Sequence, residues 1–344
     1  MKLGLMLGYW MMGPEDPIDL VLEAERLGFD SVWTAEAYGS DCVSTLSWMG
    51  ARTTRIKLGT AVMQISARTP ACAAMTATTI DHLSGGRLIL GIGVSGPQVV
   101  EGWYGQPFPR PMARTREWID LFRMMVERRG PVTFAGEHYR LPHPGGAGLG
   151  KPLKLITKPL RDRIPVYMGA EGPKNVALAV EKADGWLPLF CSPETFELDL
   201  YKETLARRRP DFEIAATVNV IVDEDVRQAL LPTKWMLGFY LGGMGAKKEN
   251  FHLNLIERMG FGEAAYRVQD LFFAGKRDEA IAAVPDELAD AISLAGPPAR
   301  IKQRLAIWRE RTPVTTMIAA TRDLKVLGLL AEAAELGVGA RLRA

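Results

Sequence analysis

The stretch IKLGTAVMQISARTPACAAMTATTIDHLSGGRLILGIG, residues 56–93, decides the fold. Its two ends, residues 56–63 and 87–93, are apolar runs of strand length. Between them, Thr69 and Pro70 are typical of a helix start, and the Ser84-Gly85-Gly86 turn is typical of a helix end. A strand, a helix and a second strand in this order predict a βαβ unit whose strands run in parallel.

The same alternation continues in both directions along the chain. Further strand candidates, each followed by a helical pattern, lie at residues 3–8, 31–33, 164–169, 185–190, 214–222 and 315–320. Eight βα units favour a closed (β/α)8 TIM barrel over a doubly wound sheet. We expect residues 1–344 to form this single domain. An inserted hairpin or loop is expected at 131–160, after the fourth strand, and a helical insertion at 226–292, after the seventh, is a candidate lid.

Composition and charge point to a small-molecule partner. Lys and Arg number 42 against 40 Asp and Glu, a net charge of +2 without long runs of either sign, which predicts neither nucleic-acid nor membrane binding. The three cysteines are far apart and form no CxxC pair, and no histidines have metal-ligand spacing. We therefore expect a cytoplasmic protein without disulfides or a metal site.

The fourth strand ends in GIGVSG, residues 91–96, which formally matches the GxGxxG dinucleotide fingerprint. That fingerprint needs a helix that begins at once, whereas Pro97, Pro107, Pro109 and Pro111 predict an interrupted segment. The GxSxG nucleophile elbow is also incomplete, because Pro97 stands in place of its final glycine. We interpret the glycines as allowing a close backbone approach to a planar ring or a phosphate.

In a (β/α)8 barrel, chemistry takes place at the carboxyl ends of the strands. Glu36 follows the second strand and is a candidate for binding a cofactor or transferring a proton; a solvated or helix-capping carboxylate is the open alternative. Residues 169–175 end the fifth strand and begin a helix, where free N–H groups and the helix dipole favour an anion. This turn is the predicted phosphate site, and a plain βα turn is its alternative.

Four stretches carry a resemblance to a known family: LGFDSVWTAEAYGSD (27–41), KLGTAVMQISARTP (57–70), DHLSGGRLILGIGVSGPQVVEGWYG (81–105) and MGAEGPKNVALA (168–179). They resemble the luciferase-like monooxygenase superfamily and, within it, the actinobacterial deazaflavin-dependent (coenzyme F420) oxidoreductases. The resemblance implies a deazaflavin ring across the strand ends and hydride transfer at its C5 carbon. It also implies a non-proline cis peptide at Ala61-Val62, and a homodimer.

The resemblance further implies which residues form the site. The cofactor contacts are Glu36, Ala61, Val62, Ser95, Gly96, Arg114, Met168, Gly169, Ala170, Glu171, Gly172 and Pro173, with Arg114 on the phosphate side. Glu36 and Tyr38 are the candidates for proton transfer, because relatives carry a histidine base where this chain has Ala37. Sugar-phosphate dehydrogenases of the family carry an acidic residue where Pro97 stands, so their mechanism is not expected in this chain.

The resulting hypothesis is an enzyme that transfers a hydride between coenzyme F420 and an organic, apolar substrate. Two alternatives stay open. One is a two-component monooxygenase that uses reduced flavin mononucleotide (FMN) and oxygen, which the same fold supports. The other is a non-catalytic protein that binds the deazaflavin.

Overall fold

The computed structural model of the chain describes residues 1–10, 16–197, 199–244 and 250–336. Its strands are β1 (Lys2–Gly8), β2 (Ser31–Thr34), β3 (Lys57–Thr60), β4 (Met63–Gln64), β5 (Leu88–Gly93), β6 (Phe134–Ala135), β7 (Arg140–Leu141), β8 (Val166–Gly169), β9 (Gly185–Leu187), β10 (Glu213–Val222), β11 (Ser293–Gly296) and β12 (Thr316–Ala320).

The helices alternate with these strands. They are α1 (Ile18–Leu27), α2 (Cys42–Gly50), α3 (Pro70–Leu83), α4 (Pro97–Gly102), α5 (Pro111–Glu127), α6 (Pro173–Lys182), α7 (Asp199–Ala206), α8 (Val226–Gly242), α9 (Phe251–Ile256), α10 (Gly262–Phe273), α11 (Arg277–Ala282), α12 (Asp286–Ala291), α13 (Pro298–Arg311) and α14 (Leu324–Ala333). Side chains cap several of their starts: Asp41 accepts hydrogen bonds from two amides of α2, and Thr69 accepts one from α3.

Eight of the strands close into a parallel barrel, in the order β1, β2, β3, β5, β8, β9, β10, β12. The ring closes where residues 316–320 of β12 pair on one side with residues 215–219 of β10 and on the other with residues 2–6 of β1. The predicted (β/α)8 barrel is confirmed, including all eight strand candidates.

Three barrel strands are shorter than the sequence predicts by two residues or more. β3 ends at Thr60 instead of residue 63, directly before the Ala61-Val62 cis peptide bond. β8 begins at Val166 instead of residue 164, because Pro165 has no N–H with which to extend the ladder. β9 ends at Leu187 instead of residue 190, because Pro188, which follows directly, also lacks this N–H.

Trp33 fills much of the barrel interior and explains two glycines on the neighbouring strands. Its ring centroid lies 5.9 Å from that of Tyr167, and its Nε1 donates a hydrogen bond of 2.9 Å to Ser31. A Cβ atom at Gly59 would lie 2.2 Å from the Trp33 ring, and one at Gly4 would lie 2.9 Å from its Nε1. The interior cluster is completed by Ile89, Leu187, Ala215 and Ile318.

The DHLSGGR motif, residues 81–87, lies at the amino-terminal end of the barrel. The Arg87 guanidinium donates to the backbone oxygens of Gly50, Thr53, Ile56 and Ser84. Asp81 is buried and pairs with both Nε and Nη2 of Arg161, at 3.0 and 2.5 Å. These contacts tie the loops before β3 and β5 together, so this motif stabilises the fold at the end opposite the strand termini that carry chemistry.

The insertion after β5 contains α4, α5 and the β6–β7 hairpin. The prediction that proline interrupts the segment after GIGVSG was wrong at its start, because α4 begins at Pro97. Proline is accepted in the first helical turn, where no N–H is needed. The dinucleotide fold is nevertheless absent from the described residues, because the sheet is closed.

The insertion after β10 contains α8 to α12, and it packs around a hydrophobic cluster of its own that includes Leu237, Leu241, Leu253 and Val268. It is followed by β11, which the sequence did not predict. β11 pairs in parallel with residues 219–222 of β10, beyond the point where β9 has ended. A lone strand of four residues carries too little pattern to be recognised.

Candidate functional site

The carboxyl ends of the barrel strands surround an opening, called the mouth below, whose floor is apolar. Met6, Ala61 and Val62 pack on the interior cluster at this end. The Ala61-Val62 peptide bond is cis, as the resemblance implies. A Cβ atom would lie 2.5 Å from Val62 Cγ2 at Gly93 and 3.1 Å from Val62 Cγ1 at Gly169. Val62 therefore packs against the backbone of β5 and β8, where no side chain rises above the floor.

Glu36 is buried at the end of β2, and both of its carboxylate oxygens have partners. Oε1 accepts hydrogen bonds from Gln64 N at 2.9 Å and from Arg68 Nη1 at 2.6 Å, and Oε2 accepts one from Cys42 N at 3.2 Å. Gln64 Nε2 also donates to the backbone oxygens of Glu36 and Ala37. The carboxylate thus joins β2 to the turn after β3 and to the start of α2, an arrangement suited to fixing backbone.

Tyr38, the second predicted proton-transfer residue, is 51% exposed. Its hydroxyl lies 4.0 Å from Sδ of Met244, which follows α8 in the insertion after β10. The pKa of Tyr9 is raised mainly by burial and further by Tyr38. The ends of β1 and β2 and the insertion therefore meet on one side of the mouth.

At the end of β5, Ser95 has a φ of 61° and Gly96 is the N-cap of α4. A Cβ atom at Gly96 would lie 3.6 Å from the backbone oxygen of Met244, which brings the insertion close to this strand end as well. A non-glycine residue in the left-handed region is uncommon and often marks a functional turn. Ser95 and Gly96 therefore border the mouth, as predicted from their place after the fourth barrel strand.

Arg114, the predicted phosphate-side arginine, lies on α5. Its Nε donates to the Tyr139 hydroxyl at 3.2 Å and its Nη1 to the Pro107 backbone oxygen at 3.1 Å. It shares a small cleft with Ser66 and Val94, and the Ser66 Oγ atom is buried without a partner. The structure gives Arg114 two partners within the protein, so its contact with a phosphate stays a prediction.

The turn between β8 and α6 is open to a ligand. Gly172 is the N-cap of α6, and no side chain caps this helix. A Cβ atom at Gly172 would meet nothing within 4 Å, and Pro173 occupies the first turn. The Asn175 Oδ1 atom is buried without a partner. A helix start with free N–H groups and open space in front of it suits an anion.

The side chains of Met168 and Ala170, at the same strand end, are buried. Both side chains pack in the core between the barrel and its helices. The Ala170 backbone oxygen accepts a hydrogen bond of 2.7 Å from Trp186 Nε1. Only main-chain atoms at these two predicted positions are left to face the mouth.

A cluster that the sequence reasoning missed joins the insertion after β10 to the end of β8. His252 Nδ1 lies 2.7 Å from Glu171 Oε1. The His252 ring meets the rings of Tyr240 and Phe190 nearly at right angles, with centroid distances of 4.8 and 5.6 Å. His252 stands on a predicted helix without any paired-ligand spacing, so no local signal could have placed it beside Glu171.

The charges around Tyr240, a member of this cluster, come from several strand ends. Burial raises the pKa of Tyr240, and Tyr9, Glu171 and Tyr38 raise it further. Tyr9 and Tyr38 follow β1 and β2, whereas Glu171 follows β8. Tyr240 therefore lies close to groups from several strand ends.

Neither a metal cluster nor a membrane span occurs in the described part of the chain. No three His, Cys, Asp or Glu side chains within residues 1–10, 16–197, 199–244 and 250–336 are placed to hold a metal ion. No helix in those ranges has the length and apolarity that crossing a membrane requires. Cys42, Cys72 and Cys191 are free thiols.

Comparisons with known proteins agree with this architecture. The sequence model of the luciferase-like monooxygenase family matches residues 4–316. A Mycobacterium tuberculosis protein, provisionally named a coenzyme F420-dependent oxidoreductase, is 51% identical over 95% of this chain and 99% of its own length. A 5,10-methylenetetrahydromethanopterin reductase of Archaeoglobus fulgidus is 30% identical over 82% of each chain. A coenzyme F420-dependent tetrahydromethanopterin reductase of Methanopyrus kandleri shares the fold, with a TM-score of 0.74 at 24% identity over 96% of this chain and 97% of its own. The chain belongs to the luciferase-like monooxygenase family.

Proposed function

We propose that this enzyme is a coenzyme F420-dependent oxidoreductase that transfers a hydride between the cofactor and an organic substrate bound at the mouth. Similar proteins named for this cofactor support the assignment, foremost the relative that is 51% identical over nearly its whole length. The structural observation that carries it is the apolar floor at Ala61 and Val62 beside the open helix start at Gly172. The bound deazaflavin supplies or accepts the hydride at its C5 carbon.

The residues of the mouth fit a planar ring with an anionic tail. An apolar floor without side chains at Gly93 and Gly169 suits the face of a flat ring. The free N–H groups and dipole at the α6 start, after Gly172, suit a phosphate. The residues that we assign to the cofactor are Glu36, Ala61, Val62, Ser95, Gly96, Arg114, Met168, Gly169, Ala170, Glu171, Gly172 and Pro173.

Within this set we assign Glu36 a positioning role. Its carboxylate accepts three hydrogen bonds, one of them from the partly buried Arg68, and all three donors belong to the protein. The amide of Gln64 is bonded to Glu36, and Ala61 and Val62 lie between Gln64 and the end of β3. Glu36 would therefore act on the cofactor through the backbone of Ala61 and Val62. Tyr38, which is half exposed beside Met244, is assigned to contact with the substrate.

The side chains over the mouth favour an apolar substrate. Tyr240 and Met244 reach this region from the insertion after β10, and the buried Phe190, which follows β9, packs behind Tyr240. Their largely apolar surface would exclude water from the reacting atoms. The insertion, residues 226–292, would then act as a lid; residues 245–249 within it lie outside the described ranges.

We further propose that the enzyme is a cytoplasmic homodimer. The free thiols suit a reducing compartment. Leu83, Ile156 and Leu160 are 81%, 92% and 51% exposed, and apolar side chains such as these are available for an interface between two copies. Light scattering on the purified protein measures this: a mass of twice 37.9 kDa is expected, and the mass of one chain would contradict the dimer.

A fluorescence titration tests the cofactor assignment. Coenzyme F420 should bind with a dissociation constant at least about tenfold lower than that of FMN, and the reduced cofactor should be oxidised by a compound in a panel of carbonyls and enones without oxygen. Tighter binding of FMN together with oxygen uptake would replace the proposal by a two-component monooxygenase. Tight F420 binding without turnover of any carbonyl, enone or alcohol would instead indicate a carrier protein.

A further inference from the structure

The mouth contains two carboxylates whose surroundings differ. Both oxygens of Glu36 accept hydrogen bonds from the protein. In Glu171, Oε1 lies at the ion-pair distance of 2.7 Å from His252 Nδ1, and Oε2 is buried without a partner; the Nδ1 atom itself has no aligned hydrogen-bond partner. Unsatisfied buried carboxylate oxygens are costly, and in native proteins they occur where a ligand, a proton or a water completes the site.

The protein holds His252 in one place. Asn250, which is 5% exposed, caps α9: its Oδ1 accepts hydrogen bonds from the N–H groups of His252 and Leu253 at 3.0 and 3.1 Å. Its Nδ2 donates to the backbone oxygens of Tyr240 and Leu241 at 3.0 and 2.9 Å. The cap therefore fixes the first turn of α9, which carries His252, against the last turn of α8.

The ring of His252 is also oriented. Tyr240 and Phe190 pack edge-on against it at interplanar angles of 86° and 83°. Nδ1 lies 2.7 Å from Glu171 Oε1, an ion-pair contact without hydrogen-bond alignment, so Nε2 is the nitrogen that is left to meet a ligand, and the side chain is 20% exposed. Histidines are commonly oriented in this way by a carboxylate on one nitrogen while the other does chemistry.

Glu171 is anchored where the cofactor site begins. It directly precedes Gly172, the N-cap of α6, and its backbone oxygen accepts a hydrogen bond of 2.5 Å from the Tyr201 hydroxyl. Its side chain is 12% exposed. The pair thus stands between the proposed cofactor turn and the aromatic side chains of the insertion.

We propose that His252 is the acid–base residue of the reaction and that Glu171 is the residue that positions it, an inference that rests on the proposed function. When a carbonyl carbon receives a hydride, the electron pair of the C=O bond moves to oxygen, and the proton on Nε2 of the His252 imidazolium forms the new O–H bond. The imidazole is left neutral, with its proton on Nδ1 beside the Glu171 carboxylate. In the reverse reaction, Nε2 takes the hydroxyl proton of an alcohol. The substrate class is therefore an apolar carbonyl compound or its alcohol.

Diethyl pyrocarbonate, which acylates accessible imidazole nitrogens, tests the position of Nε2 without any substrate. The rate of His252 modification in the wild-type protein is followed by peptide mass spectrometry, with and without saturating oxidised F420. We expect the cofactor to slow His252 modification at least fivefold. His143, in the loop after β7, serves as the internal control and should react at the same rate in both samples.

Substitution separates proton transfer from cofactor binding. In His252→Gln, we expect the F420 dissociation constant to stay within twofold of wild type, while kcat for the best carbonyl of the panel falls about 100-fold. Glu171→Gln should lower kcat about tenfold at similar KM, since it leaves the imidazole in place without its carboxylate. His143→Gln is the matched control and should behave as wild type.

The outcomes distinguish the two proposals. If F420 binds and His252 reacts equally fast with and without it, or if His252→Gln retains wild-type kcat, the acid–base assignment is wrong and the proposed function stands. If F420 fails to bind wild-type protein, the proposed function itself fails. Should His252→Gln unfold, the modification rates of the wild-type protein decide alone.

Discussion

Oε1 of Glu36 and Nη1 of Arg68 lie 2.6 Å apart, and their side chains are 3% and 17% exposed. Arg68 ends the segment that begins at Ala61, so the pair connects the floor of the mouth to the end of β2. The Gln64 amide donates to the same Oε1 atom, at 2.9 Å. The floor thus depends on a largely buried ion pair that lies behind it.

Replacing Glu36 by Gln should cost stability and cofactor affinity together. The change removes the nearer counter-charge of the partly buried Arg68 guanidinium and leaves Asp41, at 3.8 Å, as its remaining acidic partner, a loss of about 1–3 kcal/mol. We expect the free energy of unfolding in urea to fall by about that amount and F420 to bind more weakly. Glu23→Gln, which removes an exposed pair with Arg26, is the control and should change stability by less than about 0.5 kcal/mol. Unchanged stability in Glu36→Gln would contradict the positioning role.

Gly172→Asp should act on stability and cofactor binding in opposite directions. Aspartate is a favourable N-cap residue, and the space at Gly172 is open, so the free energy of unfolding should rise by about 0.5 kcal/mol. Its charge would repel a phosphate at the α6 start, so F420 affinity should fall at least about tenfold. Gly172→Asn is the neutral control. Equal F420 affinity in the two variants would remove this turn from the phosphate site.

Gly59→Ala should destabilise the barrel from inside. The new methyl group would lie 2.2 Å from the Trp33 ring, and neither the ring nor the strand can move without disturbing the interior cluster. We expect a loss of about 3 kcal/mol in chemical denaturation. Gly130→Ala, where a Cβ atom meets nothing within 4 Å, is the matched control. A loss below about 1 kcal/mol in Gly59→Ala would show that Trp33 is less constrained than the structure indicates.

Asp184 should make the protein sensitive to acid. Burial acts to raise the pKa of its carboxyl, but hydrogen bonds from Arg163 and the Val166 amide, with the charge of Arg123, outweigh burial and lower the pKa below the usual 3.8. The folded protein therefore binds this proton less readily than the unfolded chain. The stability that Asp184 contributes is complete above about pH 4 and is lost as the pH falls through the folded pKa.

Urea unfolding at pH 7 and at pH 3 measures this contribution. Asp184→Asn should be less stable than wild type at pH 7, and the difference should narrow at pH 3. Asp211→Asn is the control, because its carboxylate is 79% exposed although it also contacts Arg209. A difference between Asp184→Asn and wild type that is the same at both pH values would contradict the role of the charged carboxylate.

The barrel could be predicted because its signals are local. Residues 56–63 and 87–93 show their apolar runs and helix boundaries within the stretch itself, and repetition of that unit defines the closed sheet. The resemblance correctly placed the Ala61-Val62 cis peptide bond. The wrong prediction at Pro97 also has a local cause. Proline breaks the interior of a helix but is tolerated in the first turn, which is where Pro97 lies.

The neighbourhood of His252 could not be predicted, because it depends on tertiary contacts. Eighty-one positions separate His252 from Glu171, and the contact exists only because Asn250 caps α9 against the carbonyl groups of α8. Composition, periodicity and spacing do not indicate that arrangement. The same reason applies to Glu36. Its partly buried partner Arg68 belongs to another βα unit, and this contact is why we propose a positioning role for Glu36 instead of a catalytic one.

The DHLSGGR motif, which is bonded at the amino-terminal end of the barrel through Asp81 and Arg87, has a consequence for how such sequences are sorted. In this chain the motif bonds the loops at that end and its contacts lie away from the mouth. Likeness at the motif therefore reports on architecture. Sorting by substrate requires comparison of the segment after β10 instead, since that segment brings Tyr240, Met244 and His252 to the mouth.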